Sequence, residues 1–314
     1  MSVVLEDRFL NEFYLNPISL QGSTSPVPDP ESLAAHPGRF GTRSGRGVFP
    51  TLAPGVRTLP LDGVLARFEG RAGPRLLALL STPGTPDDTT TATMVVLDST
   101  RREFARLARR LGPSACDPAA TRAADFAAEL PPGDYVVALA VAGGRSSRGV
   151  RREAVRVEPA RTGLTMSDLV VSCGGAQVLP GGPGAPPGVR LTANPERVVW
   201  AGEPLVVYFE AYRLETAASG LSSLEFEYTV RSIERDRRPW IQRVLSPPSR
   251  PAEISATRRE DHPGDVRRQF VTVPVQSLPP GRYRIEVAVR DLRAGTAATA
   301  RADFARRGVR SPGS

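Results

Sequence analysis

The sequence predicts a mainly β protein of two tandem immunoglobulin-like or fibronectin-like sandwiches. Three observations point there. A Leu-Pro-Pro-Gly-x-Tyr motif occurs twice, at Leu130 and again at Leu278. Each copy is followed by alternating large apolar side chains: Tyr135, Val137, Leu139 and Val141 in the first, Tyr283, Ile285, Val287 and Val289 in the second. Finally, 314 residues suffice for two independent cores at about 150 residues each.

The chain divides into four parts. Residues 1–56, rich in Pro, Gly and Ser, read as an extended or disordered arm, 57–160 as the first sandwich, 161–306 as the second, and 307–314 as a tail. In the first sandwich Val64–Phe68, Arg75–Leu80, Thr91–Leu97, Tyr135–Val141 and Ala154–Val157 read as strands between Gly and Pro turns. Arg101–Leu111 departs from that run. Phe104, Leu107, Ala108 and Leu111 recur at i, i+3, i+4 and i+7, which predicts a helix, with a strand as the competing reading.

The second sandwich begins with Leu164–Cys173. The glycine-rich stretch Gly174–Gly188 follows as an irregular loop. Leu205–Leu214 is apolar on both faces, as a central strand between two layers should be. Ser223–Arg231 is the cleanest amphipathic strand, with Leu224, Phe226, Tyr228 and Val230 on one face. Pro239–Leu245, Arg267–Val273 and Thr299–Phe304 complete the set.

The repeated motif has a physical meaning. Pro-Pro-Gly can continue neither a helix nor a central strand, so it forces a turn, and the tyrosine beyond it opens the next strand with its ring inside. That is the pattern of a tyrosine corner, with Tyr135 and Tyr283 as the corner residues.

Together with the carboxy-terminal strands, these motifs resemble a known family. LTMSDLVVS (164–172), EPLVVYFEAYRL (203–214), LSSLEFEYTV (221–230) and LPPGRYRIEVAVRD (278–291) are similar to the carboxy-terminal β-sandwich region of bacterial GWxTD-domain proteins. The resemblance covers roughly residues 60–305 and implies a sandwich fold and a periplasmic or extracellular location. It implies no chemistry. The Gly-Trp-x-Thr-Asp run itself is absent, and the two tryptophans are Trp200 and Trp240.

Composition excludes several classes. No apolar run approaches the ~18–20 residues of a membrane-spanning helix. The formal net charge is +8, yet all 41 basic residues are arginine, scattered in ones and twos among 33 acids. Such scatter reads as a solvated surface and disfavours nucleic acid as a partner. The arginine-glycine stretch 39–47 is the one place where an RNA-binding tail is imaginable. MSVVLEDRFLNEFYL has neither a basic n-region nor an apolar h-region, so either the chain is cytoplasmic or its true start lies upstream.

Candidate chemistry is sparse. Of the two histidines, His36 lies in the arm and His262 in a polar loop, where a Ser-His-Asp set with Asp261 or Asp265 can be drawn only on paper, because no GxSxG elbow accompanies it. Asp87-Asp88 and Glu260-Asp261 read as solvated acids on turns. The glycine-rich 142–150 reads as a hairpin loop between strands. Cys173 reads first as a small buried hydrophobe on a strand, with a bridge to Cys116 across the two halves and a reactive thiol as alternatives. Tyr208, Tyr212 and Trp240 are the candidate ligand-facing aromatics, with core packing as the competing reading. The expectation is therefore a protein without catalytic residues, metal or cofactor. Its predicted role is to bind another protein through loops or a sheet edge, with glycan binding as the alternative.

Overall fold

The structure is a computed structural model, and it describes residues 57–70, 73–84, 90–100, 102–143, 147–159, 161–173, 177–179, 188–190, 194–233 and 253–309. The fold is all-β, with no helix among those residues. Strands β1 (Arg57–Thr58), β2 (Asp62–Glu69), β3 (Pro74–Pro83), β4 (Thr91–Asp98), β5 (Glu103–Arg110), β6 (Gly112–Pro113), β7 (Thr121–Glu129), β8 (Gly133–Gly143) and β9 (Ser147–Val157) make two sheets. Their orders are β1-β9-β8-β4-β5 and β2-β3-β7-β6. The alternation written in the sequence turns Leu76, Ala78 and Leu80 of one sheet toward Met94, Val96, Val137 and Leu139 of the other, and these form a single core.

The second sandwich comprises β10 (Thr165–Met166), β11 (Val170–Ser172), β12 (Gln177–Leu179), β13 (Gly188–Arg190), β14 (Val198–Val199), β15 (Leu205–Tyr212), β16 (Leu221–Ser232), β17 (Glu253–Pro263), β18 (Val266–Val273), β19 (Gly281–Asp291) and β20 (Thr296–Arg306). One sheet runs β14-β20-β19-β16-β17. In the facing sheet β15 pairs with β18 along one side and with β10 and β11 along the other. The pairings among β3, β4, β5, β7, β8 and β9 recur among β15, β16, β17, β18, β19 and β20, whereas β2 follows β1 and its counterparts β10 and β11 precede β14. In each sandwich, a two-residue strand runs parallel to the last strand, β1 beside β9 and β14 beside β20. At the first of these seams a Cβ on Gly149 would stand 2.6 Å from the Leu59 carbonyl oxygen, so only glycine admits the incoming chain.

Several expectations are corrected. Arg101–Leu111 is not a helix: β5 pairs antiparallel with β4 across a bulge at Val96/Leu97. Ala105 and Leu107 pack on the core, while Phe104 is 46% exposed. Two small-to-medium residues on an arginine-rich edge strand leave too weak a period-two signal to outweigh the accidental helical spacing. The arginine-rich stretch around His262 is not a loop but the end of β17 and the turn that crosses to β18 in the facing sheet. Gly174–Gly188 is not wholly irregular, since Gln177–Leu179 and Gly188–Arg190 pair as a short ladder. Leu164–Cys173 breaks into β10 and β11, and β7 was not foreseen. Cys173 is not a free buried thiol; it is bonded to Cys116. The arm 1–56, Asp87-Asp88 and the expected strand 239–245 lie outside the described residues.

Candidate functional site: the face between the two sandwiches

Both faces of β3 (PRLLALLSTP) are buried along most of its length, as are both faces of β15. A strand apolar on both sides needs a layer on each side. One layer is its own core. The other is the neighbouring sandwich: the outward residues Val64, Ala66 and Phe68 of β2 and Leu77 and Leu79 of β3 meet Val170 of β11 and Tyr208 of β15 in one apolar cluster. Four sheets thus stack in sequence.

Tyr208 sits at the centre of this face. Its ring lies 4.6 Å from Phe270 and 5.9 Å from Phe68, centroid to centroid, so an aromatic of the first sandwich and one of the second flank it. Tyr208 is 2% and Tyr212 4% exposed. Both hydroxyls donate to one carboxylate, Glu210, with Tyr212 at 3.0 Å. Burial, followed by the nearby Glu210 charge, pushes both phenols far above the ordinary tyrosine range. The Glu210 backbone N–H in turn donates to Ser167 Oγ at 2.9 Å, and Arg268 stands 3.6 Å from its carboxylate.

A polar rim closes the apolar centre. Arg213 holds Glu69 of the first sandwich in a fork, at 2.7 and 2.6 Å, and also donates to Thr165. The Arg213 backbone has φ 57°, the left-handed region that side chains other than glycine rarely adopt. That turn, immediately after β15, carries the guanidinium across to the other sandwich. Arg67 and Asp168 make the second clamp: the Arg67 backbone N–H, Nε and Nη2 all donate to the Asp168 carboxylate at 2.8 Å. The hydrogen bonds to Asp168 raise the Arg67 guanidinium above its usual range. The Cys116–Cys173 disulfide is a third link, joining the segment after β6 to the end of β11.

The sequence-predicted residues fall as follows. Tyr208 and Tyr212 come together, but face inward at the junction, so neither presents a ring to a ligand from solvent. Trp240 lies outside the described residues. The Tyr135 hydroxyl donates to the Pro131 carbonyl at 2.9 Å and the Tyr283 hydroxyl to Pro279 at 2.8 Å, each four residues upstream. The His262 Nε2 lies 3.0 Å from the Val266 carbonyl, so the ring braces the turn from β17 to β18. Among the described residues no group of three or more His, Cys, Asp or Glu side chains is placed to hold a metal ion, and no helix is long and apolar enough to cross a membrane. Glu69, Arg67, Asp168 and Arg213 were missed. The unbroken apolar run of β3 was the one signal that a second layer covered this sheet.

What the arrangement can do is mechanical: buried aromatics, two clamps and a covalent bond fix one sandwich on the other. No family model matches the sequence, and no curated protein does. Among solved structures, the chain is similar over 79% of its length to red sea bream transglutaminase, at 9% identity and a TM-score of 0.23. It spans 31% of that protein, and likeness at this level carries no argument about activity.

Proposed function

We propose that this chain is a non-catalytic interaction module of the bacterial envelope or secretome, in which residues 57–160 and 161–306 form two sandwiches fixed as one body that presents a sheet edge to a protein partner. The observation that carries the reading is the Cys116–Cys173 disulfide across the junction. Disulfides persist in oxidising compartments, so the bond supports export. Kinship with the GWxTD-domain proteins belongs to the same proposal and rests on the strand motifs quoted above.

The edge best suited to a partner is β17. Among the described residues it pairs with β16 alone, along Glu253–Arg231 to Pro263–Leu221. Its second half carries Arg258, Arg259, Glu260 and Asp261, charges that discourage added strands, whereas Ile254–Thr257 carries none. An extended segment of the partner adds there by main-chain hydrogen bonds.

Fractionation of source cells tests the location, and a photo-crosslinker at Ala256 tests the edge. The expected result is an exported, oxidised chain that crosslinks to one protein. Proline at Ser255 or at Ala256, whichever N–H faces outward, abolishes that crosslink. A cytoplasmic chain with reduced thiols overturns the location, and crosslinking indifferent to both prolines overturns the edge.

A further inference from the structure

One lateral side of the second sandwich is charged where its core would otherwise continue. On β17 the side chains that share a face with the core residues of β16 are Ile254, Ala256, Arg258 and Glu260, opposite Val230, Tyr228, Phe226 and Leu224. On β18, Arg267 and Val271 point inward in the same way, opposite the core residues Ala211 and Val207 of β15. Neither β17 nor β18 has a second neighbour among the described residues. Their inward rows therefore meet across a side that no strand closes.

Toward one end of this side, Ile254 and Val271 are half-buried and pack on the second core. Toward the other, Glu260 is held by two arginines, one from each sheet: Arg258 at 2.8 Å and Arg267 at 2.6 Å. Burial raises the Tyr228 phenol, and Arg258, Glu260 and Arg267 are the charges that act on it, so its hydroxyl belongs to the same cluster. Two guanidiniums on one carboxylate leave one positive charge in excess. That charge faces outward: the Arg258 side chain is 59% exposed, against 23% for Arg267 and 12% for Glu260. Between the two ends stands Ala256, exposed and small, which leaves a step beside Tyr228 and between the larger Ile254 and Arg258.

We infer that the segment added to β17 runs antiparallel to it and carries an acidic residue beside Arg258, followed two residues on by a large apolar residue beside Ala256. This rests on the β17 reading above and names the chemistry of its partner. The sense continues the sheet, in which β16 is antiparallel to both β17 and β19. Side chains two apart on a strand share a face, so the acidic and the apolar one both enter the open side. The apolar side chain fills the step at Ala256 and covers Ile254 and the Tyr228 ring. The carboxylate accepts from the outer N–H groups of Arg258, which makes the cluster two arginines and two acids. Glu260 fixes the position, because a second carboxylate one place further along that face would stand beside it and be repelled. Charges that turn other strands away thereby select this one.

Fluorescein-labelled nonapeptides titrated onto the full chain test the inference by fluorescence polarisation. The probe is Thr-Ser-Thr-Glu-Thr-Phe-Thr-Val-Thr, and its two controls carry Lys in place of Glu or have Glu and Phe exchanged. The probe is expected to bind about tenfold more tightly than either control, and Arg258→Glu to reverse the preference in favour of the lysine peptide. Should Arg258→Glu fail to fold beside Glu260, Arg258→Gln is expected to level the preference. Probe and controls that bind alike, with all binding lost to the proline at Ser255 or Ala256, overturn the inference and leave the β17 edge standing. Binding indifferent to both prolines overturns the edge as well. A preference for the exchanged order, or a probe that does not bind, overturns the inference.

Discussion

The hydroxyl of Tyr212, in the second sandwich, accepts the backbone N–H of Glu69, in the first, at 3.1 Å. The same hydroxyl donates to Glu210, so one side chain satisfies main chain on one side of the junction and carboxylate on the other. Tyr212→Phe keeps the ring and removes both bonds, stranding partly buried polar groups. Urea unfolding should show a loss of about 1–3 kcal/mol. A variant as stable as the parent would mean that water substitutes for the hydroxyl and the junction is wet.

Replacing Cys116 and Cys173 together by serine tests the covalent link. The bond closes a segment with a sequence separation of 57 residues. Its removal should cost about 2–4 kcal/mol, read as a lower guanidinium midpoint, and reductant should bring the parent to the same value. A parent indifferent to reductant would show that the noncovalent junction alone fixes the two sandwiches.

Arg213 offers a test of order rather than size. Its left-handed backbone favours glycine, while its guanidinium holds Glu69. Arg213→Ala loses the clamp and keeps the strain, whereas Arg213→Gly loses the clamp and relieves it. The glycine variant should be the more stable of the two by about 1 kcal/mol. The reverse order in thermal melts would argue that the turn is set by something other than backbone preference.

Tyr135→Phe and Tyr283→Phe each delete one corner bond and leave the ring in place. Each should lose about 0.5–1.5 kcal/mol, comparably in the two sandwiches. A silent change in either would mean that its corner is held by ring packing alone.

Alkali should unfold the molecule through its buried phenols. Tyr208, Tyr212 and Tyr228 are all raised above the ordinary tyrosine value of about 10, chiefly by burial. A group that holds its proton more tightly folded than unfolded adds stability that is intact below the unfolded value. That stability declines as pH rises beyond it toward the folded value. Absorbance at 295 nm should therefore show these tyrosines ionising together with loss of circular dichroism above pH ~10. Ionisation of all six tyrosines with the fold intact would refute the burial.

Much of the fold was legible because it is written locally. Pro-Pro-Gly-x-Tyr followed by strict alternation located β8 and β19, and two-sided apolarity marked β15 as a central strand. β5 was not legible, since an edge strand needs few buried residues and its arginines broke the period. β17 was hidden for the same reason, its charges reading as loop. At the junction, Tyr208 and Tyr212 were seen, but a buried aromatic and a ligand-facing one have the same sequence signature. Glu69 and Arg213 lie 144 positions apart and meet only because two sheets stack, which no local pattern encodes.

The disulfide also sets how the molecule would bear load. Tension applied between β1 and β20 passes from Cys116 directly to Cys173, bypassing the stretch between them. That stretch contains β7, β8 and β9, which supply half of the first core, the connector between sandwiches, and β10 and β11 of the second. About 200 Å of contour length is thereby withheld from extension, and those five strands are shielded from the pulling axis. Stretched, an oxidised molecule would yield first at β2 to β5 or within the second sandwich, and a reduced one would part at the junction.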